Sequence, residues 1–403
     1  MQFSESISRI TVSSTAAVVA KADQLKASGA NLVDFGAGEP DFPTPEHIKK
    51  AAAEALERNF TRYTPTGGIS DLKRAIVERH RRDFGSGYKP EECVATVGGK
   101  QAIFEAVAAI VNPGDEVILP VPYWTSFLDI IRFPGGQPVL LETSEQERFA
   151  IRAADVERLI TPKTRLMIIN SPSNPTGAVV PQDEMEKLLA LAERHHFWLM
   201  SDECYCHFLY DGHRPFSLGA SHNRENLVVV GSLSKTYAMT GWRVGFALGP
   251  RELISNMVKL QSHSTSNVTS FVQRGAVTAL TGPQDSVEAM RAEYERRRNR
   301  IVAGLKALPG IECAMPGGAF YVYPNVGTYL RSGFDINQFA NQLLEEALVA
   351  VVPGPAFGTQ EHVRFSYAAS LEQIEDGLNR FGSFLGKLQD ARSSTHASTY
   401  AKA

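Results

Sequence analysis

A lysine that follows a strand-like run is the clearest starting point for chemistry in this sequence. Residues 227–230 are β-branched and apolar, as in a buried strand, and the turn Ser-Leu-Ser-Lys then places Lys235 at the strand end. In an open α/β sheet ligands lie at strand ends, and a lysine desolvated there loses basicity and can form a Schiff base with a carbonyl compound. Ser232, Ser234 and Arg243 are close enough in sequence to bind an anion beside it. This set suits an aldehyde that carries a phosphate, although the motif alone also fits a surface lysine after a core strand.

Two glycine-rich turns offer further places for a ligand. Residues 94–107 have the order strand, glycine-rich turn, helix. Helix N-termini present unpaired N–H groups and positive potential, so residues 98–101 form a candidate anion cradle. The loop that begins at Gly36 and Gly38 contains several prolines and would let a ligand approach bare backbone. Turn formation alone is the alternative explanation for both segments.

Polar and aromatic residues also follow other strand-like runs. They lie at residues 122–124, 170–177 and 201–205. Arg364 stands within the apolar run 362–368, so its side chain points either into a site or toward a partner carboxylate. The residues alone leave that choice open.

A sheet is needed to bring these strand ends together, and the pattern of apolar runs in the sequence predicts one. Short apolar runs alternate with helical or irregular spacers, which is the pattern of a mostly parallel sheet covered by helices. The runs are residues 116–120, 138–142, 165–170, 197–201, 227–230 and 244–248. Helices are predicted over residues 16–27, 45–59, 71–82 and 285–308. After residue 309 the pattern indicates a smaller α+β unit, with strands within 311–324, 349–352 and 362–368 and helices over 339–348 and 371–388.

Composition and charge argue against several classes of protein. A chain of 403 residues with 43% hydrophobic and 21% charged residues is typical of a globular protein with more than one domain-sized unit. A net charge of −3 provides no broad basic field for nucleic acid. The N-terminus lacks a signal-peptide core, and no run of about 18 apolar residues occurs. We therefore expect a soluble, cytoplasmic protein.

The cysteines predict neither disulfides nor a metal site. Four cysteines are too few for a disulfide framework in a chain of this length, and the pair at 204 and 206 lacks a second pair for zinc. We expect all four to be reduced, namely Cys93, Cys204, Cys206 and Cys313.

Seven motifs follow one another along the chain in a fixed order. They are G-A-G-E-P-D-F-P-T-P, V-G-G-K-Q-A, P-Y-W, N-S-P-S-N-P-T-G, S-D-E-C-Y, S-L-S-K-T-Y-A-M-T-G-W-R-V-G and V-R-F-S-Y-A. Together they resemble the class I aminotransferases, which are fold-type I enzymes that use pyridoxal 5′-phosphate (PLP). The likeness covers residues 10–388, and it is greatest to bacterial aspartate aminotransferases and their prephenate-accepting relatives.

The resemblance implies a division of the chain into two domains and a tail. Residues 1–45 would form an arm and part of the small domain, and residues 46–289 the large PLP-binding domain with a mostly parallel seven-stranded α/β sheet. Residues 290–388 would complete the small α+β domain. Residues 389–403 are polar and small, and we expect a disordered tail there. The resemblance also implies a homodimer with shared active sites, and cis peptide bonds before Pro122 and Pro175.

The resemblance assigns the reaction chemistry to a few residues. Lys235 matches the lysine that binds PLP covalently and later shuttles the proton between the substrate Cα and the cofactor C4′. Asp202 matches the carboxylate that keeps the pyridine nitrogen protonated. Tyr205 and Asn174 match the pair that hydrogen-bonds the phenolic oxygen of the cofactor, and Trp124 matches the ring stacked on its face.

The resemblance also assigns the groups that bind substrate and phosphate. Arg364 matches the clamp for the substrate α-carboxylate, and the Gly38 backbone, Trp124 and Asn174 would lie beside the same substrate. The neighbouring subunit would contribute Tyr63 to the phosphate site. The residues of the same chain that match the phosphate site are Gly98, Gly99, Lys100, Gln101, Ser232, Ser234 and Arg243.

Lys100 and Thr15 carry the inference about substrate choice. In the subgroup that this chain resembles, a lysine and a hydroxyl at these positions bind the distal carboxylate of a dicarboxylic amino acid. Their alternative roles are solvation of a helix start for Lys100 and helix capping for Thr15. One departure from the family pattern is the Cys204-x-Cys206 pair around Tyr205, which we expect to alter the pocket wall but not the chemistry.

The sequence therefore predicts a PLP-dependent aminotransferase. We expect ping-pong transfer between L-aspartate or glutamate and a 2-oxo acid such as 2-oxoglutarate, with prephenate as a further acceptor to test. A broad aromatic aminotransferase and a PLP-dependent C–S β-lyase on the same fold are the alternatives, and Lys100 with Thr15 favours the first because a distal anion site is wasted on neutral substrates. A transcription regulator built on this fold would need a DNA-binding domain ahead of it, for which residues 1–30 leave no room.

Overall fold

The computed structural model describes residues 3–11, 21–22, 24–25 and 27–400. Thr15 and part of the helix predicted over residues 16–27 lie outside the described residues. The described residues of that segment, 21, 22, 24, 25 and 27, are helical.

The strands and helices follow the order that the sequence predicts. The strands are β1 (Val33–Asp34), β2 (Cys93–Thr96), β3 (Glu116–Val121), β4 (Gln137–Glu142), β5 (Thr164–Asn170), β6 (Trp198–Asp202), β7 (Leu227–Ser232), β8 (Gly245–Leu248), β9 (Tyr321–Val322), β10 (Val349–Ala350), β11 (Val352–Pro353) and β12 (Val363–Ser366). The helices are α1 (Glu5–Ser8), α2 (Glu46–Glu57), α3 (Ser70–Phe84), α4 (Gly99–Ile110), α5 (Ser126–Arg132), α6 (Ala153–Glu157), α7 (Gln182–Arg194), α8 (Leu233–Thr236), α9 (Arg251–Ser262), α10 (Ser270–Thr281), α11 (Asp285–Lys306), α12 (Ile336–Ala347) and α13 (Leu371–Tyr400).

The central sheet has seven strands in the order β2-β8-β7-β6-β5-β3-β4. Strand β8 is antiparallel to its neighbours β2 and β7, whereas the other neighbouring pairs are parallel. The predicted mostly parallel seven-stranded sheet is thereby confirmed. Since β8 is reversed relative to both neighbours, β2 and β7 point the same way. The carboxyl ends of β2, β5, β6 and β7 therefore meet at one edge, together with the start of β8.

The central strands are apolar on both faces because helices cover both faces of the sheet. Alternate residues of β5 enter opposite cores, with Met167 and Ile169 in one and Leu166 and Ile168 in the other. Strand β7 behaves in the same way. Continuous apolar runs, rather than alternation with polar residues, are what a doubly covered sheet requires.

The small unit has its own sheets and core. Strands β1 and β10 pair in parallel, and β11, β12 and β9 form an antiparallel sheet in that order. Its core joins Val33 and Phe35 to apolar residues of α11, α12, α13 and these strands. The strand predicted over residues 349–352 is two short strands interrupted at Val351, and the strand region predicted within 311–324 contains only β9. A proline and two glycines at residues 316–318 account for the latter difference, since proline cannot donate to a ladder and glycine weakens a strand.

The C-terminal helix is longer than predicted. Helix α13 spans Leu371–Tyr400 and so continues beyond residue 388, where the predicted helix ends. A helix that is already nucleated adds further turns at low cost. Among the described residues, no helix is both long and apolar enough to cross a membrane.

Candidate active site

Four chemically active side chains meet at the edge where the strand ends converge. Lys235 lies in α8, directly after β7, and Asp202 is the last residue of β6. Lys100 lies in the first turn of α4, which follows β2, and Arg243 lies just before β8. The first residue of β8 pairs with the last residues of both β2 and β7, so Arg243 reaches the same edge. The small unit adds Arg364 from β12.

A cavity of about 330 Å³ opens at this edge. The predicted site residues that line it are Gly38, Gly99, Lys100, Trp124, Asn174, Asp202, Tyr205, Ser232, Ser234, Lys235, Arg243 and Arg364. Four of the lining side chains are cationic, whereas Asp202 provides the one carboxyl group among the lining residues. Such a cavity suits a ligand with several negative charges and one positive charge.

Backbone contacts hold Lys235 and its helical turn in place. Its Nζ donates a hydrogen bond to the carbonyl oxygen of Gly38 at 2.6 Å. The single turn of α8 begins at Ser232, whose Oγ accepts a hydrogen bond from the backbone N–H of Ser234 at 3.1 Å. Burial lowers the pKa of the Lys235 ammonium. Cys204 and Glu39 oppose this shift, and the charges of Arg243 and Arg364 add to it. A lysine that loses its proton more easily is suited to act as a nucleophile or a base.

Asp202 is a buried carboxyl group at the end of β6, the strand next to β7. It is 5% exposed, and burial raises its pKa to about 7, with a smaller contribution from the charge of Glu203. The backbone N–H of Cys204 donates to Oδ1 at 3.1 Å and opposes this shift. Asn170 Nδ2 donates to the carbonyl oxygen of Asp202 at 3.2 Å and ties the ends of β5 and β6 together. A cationic N–H partner would restore the ionised form of this carboxyl group.

Arg364 points into the cavity, which resolves the alternative left by its sequence position. Its Nη1 donates to Asn174 Oδ1 at 3.0 Å and its Nη2 to the Gly36 carbonyl oxygen at 2.8 Å. Its guanidinium carbon lies 4.5 Å from the centre of the Tyr321 ring. Its Nε is buried and has no hydrogen-bond partner. No carboxylate pairs with Arg364 within the described part of the chain, so its charge is left for a ligand.

Two tyrosines lie next to this arginine. The hydroxyl oxygens of Tyr205 and Tyr321 are 3.0 Å apart, and burial raises the pKa of Tyr205 well above its ordinary value. Tyr205 therefore stays protonated, and its hydroxyl group can donate a hydrogen bond. The sequence did not predict Tyr321, because its position depends on the pairing of β9 with β12. The sequence signal that could have identified Tyr321 was its position in the strand-like run of residues 319–323.

Glycines allow Arg243 to approach the start of α4. A Cβ atom on Gly98 would collide with the Arg243 guanidinium, and one on Gly245 would collide with the Gly99 backbone. Gly98 also has φ of 79°, in the region that favours glycine. Arg243 Nη1 donates to the carbonyl oxygen of Thr240 at 3.0 Å. A guanidinium beside the N–H groups of a helix start is an arrangement that binds anions.

Lys100 lies between two cavities. Its Nζ is 5.1 Å from the centre of the Trp124 ring, and burial lowers its pKa, with a further contribution from the charge of Arg243. Lys100 also lines a neighbouring cavity of about 700 Å³, together with Ile10 and Thr11 from the N-terminal segment. This lysine is thus available both to the Lys235 cavity and to groups that enter from the arm.

Among the predicted site residues that the structure describes, those that do not line the Lys235 cavity are Gly98, Gln101 and Tyr63. The Gln101 side chain turns away, because its Nε2 donates to Glu105 Oε1 at 2.8 Å and to Thr265 Oγ1 at 2.6 Å. Burial raises the pKa of Glu105 to about 8, and its Oε2 has no hydrogen-bond partner. Tyr63 is 92% exposed.

Five more lining residues were not among the predicted site residues. They are Gly36, Ile103, Thr125, Asn170 and Cys204. The structure also has cis peptide bonds before Pro122 and Pro175, as the resemblance implied, and before Pro172.

A lysine, a buried carboxyl group and an arginine around one cavity at this edge of a fold-type I sheet define an aminotransferase site. The chain matches the model of the family described as aminotransferase class I and II over residues 30–381, and it belongs to that family. It is 41% identical over 391 residues to an aspartate aminotransferase of Bacillus subtilis (strain 168), covering 96% of this chain and 100% of that protein. It is 46% identical over 378 residues to an aspartate/prephenate aminotransferase of Thermus thermophilus, covering 93% and 96%. The solved structure of a Thermus thermophilus aspartate aminotransferase with maleate has a TM-score of 0.91 at 44% identity, covering 95% of this chain and 100% of that one.

Enzymes of this family depend on PLP, and the residues of the cavity fit that cofactor. Lys235 has the lowered pKa that suits attachment of an aldehyde. Asp202 is buried with a raised pKa and pairs with no cationic side chain among the described residues, so a pyridinium N–H suits it. Arg243 at the start of α4 suits a phosphate.

Proposed function

We propose that this enzyme transfers the amino group between L-aspartate or L-glutamate and a 2-oxo acid such as 2-oxoglutarate, in two half-reactions of a ping-pong mechanism. One observation carries the proposal: Arg364 and Lys100 line the same cavity, and neither pairs with a carboxylate in the described part of the chain. A dicarboxylic substrate supplies a carboxylate for each cation. The names of the Bacillus and Thermus relatives support this substrate class, and the Thermus name adds prephenate, also a dicarboxylate, as a further acceptor.

Substrate binding in this proposal depends on cations at two positions. Arg364 binds the α-carboxylate, and its bond to Asn174 fixes its orientation. The Gly38 backbone lies alongside the substrate. Lys100 binds the distal carboxylate next to Trp124, and Thr15 from the N-terminal arm adds a hydroxyl group.

The chemistry in this proposal depends on proton control by Lys235 and Asp202. PLP, when bound, stabilises the negative charge that develops at the substrate Cα and carries the amino group between the half-reactions. Lys235 would take the proton from the substrate Cα and deliver it to C4′ of the cofactor, and it would move a proton in the opposite direction in the second half-reaction. Its lowered pKa suits this role. Asp202 would keep the pyridine nitrogen protonated. Tyr205 and Asn174 would hydrogen-bond the phenolic oxygen, and Trp124 would pack on the ring.

The phosphate in this proposal is held by Arg243, the hydroxyls of Ser232 and Ser234, and the helix start at residues 98–101. The high exposure of Tyr63 supports a role for this residue in a second copy of the chain. We therefore propose a homodimer in which the partner subunit's Tyr63 reaches this phosphate. We also propose a cytoplasmic enzyme. The change of core within α11, from Val287 to Met290, supports the division into residues 1–45 with 290–388 and residues 46–289. Tyr205, Phe208 and Tyr210 of the large unit also pack into the core of the small one.

Product analysis tests this proposal against its alternatives. Aspartate with 2-oxoglutarate should give oxaloacetate and glutamate, and cystathionine should give little pyruvate. A C–S β-lyase would release pyruvate from cystathionine faster than it formed oxaloacetate. A broad aromatic aminotransferase would use phenylalanine as efficiently as aspartate.

A further inference from the structure

We infer that His207 is a positioning residue that holds the turn of Lys235 through the hydroxyl group of Thr236. The inference rests on the proposed role of Lys235. His207 is absent from the lining of the Lys235 cavity. It lines a separate small cavity of about 40 Å³, on the other side of the α8 turn, together with Thr236 and Asp83.

A row of side chains connects α3 to α8. His207 Nε2 lies 3.0 Å from Asp83 Oδ2, and His207 Nδ1 lies 3.4 Å from Thr236 Oγ1. Asp83 also accepts two hydrogen bonds from Arg79, of which the one from Nε is 2.7 Å long. The row therefore begins at an ion pair within α3 and ends at the residue that follows Lys235.

The charge of Asp83 sets the direction of these hydrogen bonds. Burial raises the pKa of Asp83, but hydrogen bonds from Arg79 and His207 outweigh it and lower the pKa to about 2. An ionised carboxylate only accepts, so His207 Nε2 is the nitrogen that donates to it. In the Nε2–H tautomer Nδ1 is an acceptor, and the Thr236 hydroxyl donates to it.

This bond constrains the end of α8 that lies next to Lys235. Ser232 caps the start of the turn, and Thr236, which is 4% exposed, is its last residue. Between these two fixed points, the Lys235 side chain extends to the Gly38 carbonyl oxygen. A small displacement of the turn would move Nζ relative to the substrate Cα, and proton transfer is sensitive to such displacements.

Cys206 is a competing donor to the same nitrogen. Its Sγ lies 3.2 Å from His207 Nδ1. Burial raises the pKa of Cys206 well above its ordinary value, so the group is a thiol, which is a weak donor. The hydroxyl of Thr236 is the stronger donor. Cys206→Ala is therefore a suitable control variant.

A matched pair of substitutions in the PLP-loaded enzyme tests the inference. Thr236→Val keeps the shape of the side chain but removes the hydroxyl, whereas Thr236→Ser keeps the hydroxyl. We expect Thr236→Val to lower kcat about tenfold and to leave KM within about twofold, because Arg364 and Lys100 bind the substrate elsewhere. Thr236→Ser and Cys206→Ala should stay within about twofold of the parent kcat.

His207→Gln gives a second test that does not depend on the folding of the valine variant. It retains an amide N–H for Asp83 but has no acceptor at the position of Nδ1, next to Thr236. We expect a kcat similar to that of Thr236→Val. The kcat of the double variant, with both Thr236→Val and His207→Gln, should be no lower than that of either single variant, because both substitutions remove the same hydrogen bond.

Nitrogen NMR provides a readout that is independent of activity. In protein labelled with 15N-histidine, the His207 ring resonances are those lost in His207→Gln. With Nδ1 as the acceptor of the Thr236 hydroxyl, we expect a downfield shift of Nδ1 in Thr236→Val but not in Cys206→Ala.

The inference is overturned if Nδ1 does not shift in Thr236→Val, or if valine and serine at this position lower kcat equally. It is also overturned if Cys206→Ala, rather than Thr236→Val, lowers kcat. Failure of the proposed function is separate, because it would be seen in Lys235→Ala as retained turnover.

Discussion

The two sides of the active-site cavity are built in different ways. The side that contains Lys235 and Asp202 is formed at the ends of β7 and β6, where short local hydrogen bonds fix the backbone. The side that contains Lys100 is a helix start that also faces a second, larger cavity. Its predicted helper, Thr15, lies outside the described residues.

This difference corresponds to a division between reaction and specificity. Proton transfer requires groups that keep their positions, and strand ends in a doubly covered sheet provide them. Selection between substrates requires a cation at the correct distance from the distal carboxylate of the substrate. Lys100 lies at a helix start next to the N-terminal segment, where a substitution can be made without disturbing the sheet. Substitutions on the first side should therefore reduce turnover of every substrate, and those on the second side should change the choice of substrate.

Lys235→Ala should have the largest effect. Removal of the amine removes both the attachment of PLP and the group that moves the Cα proton, so turnover should fall by at least about a thousandfold with every amino acid. The visible absorbance of the lysine-bound cofactor should disappear. Steady-state assays with aspartate and phenylalanine and an absorbance spectrum measure both effects. Turnover close to that of the parent would show that Lys235 is not the catalytic lysine.

Asp202→Ala should have the next largest effect. An unprotonated pyridine stabilises the charge at Cα poorly, so we expect PLP to remain bound and turnover to fall by well over tenfold, which corresponds to more than about 1.4 kcal/mol. The loss should be similar for aspartate and phenylalanine. Cofactor content and kcat for both substrates are the measurements. Retention of more than about a tenth of the parent rate would contradict this role.

Glu105→Gln should change the free energy of unfolding rather than turnover. Glu105 lies in α4, the helix that also contains Lys100, so this variant tests the stability of that helix. The pKa of Glu105 is raised from 4.5 to about 8, so the folded chain keeps a proton that the unfolded chain releases. The stabilisation from this proton is fully present below about pH 4.5 and is lost as the pH rises to about 8, on the order of 1.4 kcal/mol for each unit between the two pKa values. Denaturant unfolding across this range should show a steeper fall in the free energy of unfolding for the parent than for Glu105→Gln, because other buried groups such as Asp202 titrate in both proteins. Equal slopes in the two proteins would contradict the raised pKa.

The reaction side was predictable from sequence because its residues lie next to strand-like runs. Lys235 and Asp202 each end or follow an apolar run, and the parallel order of those runs places them at one edge. The central sheet followed from the same pattern. The cavity residues next to predicted ones, such as Asn170 and Cys204, belong to motifs that were already recognised.

The remaining features depend on pairing and packing that local sequence does not encode. Tyr321 enters the cavity through the register between β9 and β12. The Gln101 side chain leaves it because Glu105 and Thr265 offer partners, one of which is distant in sequence. The contact between His207 and Thr236 likewise joins residues from separate strand ends.

The most direct test of the division between the two sides is the ratio of kcat/KM for aspartate to kcat/KM for phenylalanine in the parent, Lys100→Ala and Arg364→Ala. A charge-assisted hydrogen bond to the distal carboxylate is worth about 1.5–3 kcal/mol, so this ratio should fall roughly ten- to a hundredfold in Lys100→Ala. In Arg364→Ala both efficiencies should fall together and the ratio should stay near that of the parent, because the α-carboxylate is common to both substrates. An unchanged ratio in Lys100→Ala would contradict the assignment of this side of the cavity to dicarboxylate recognition.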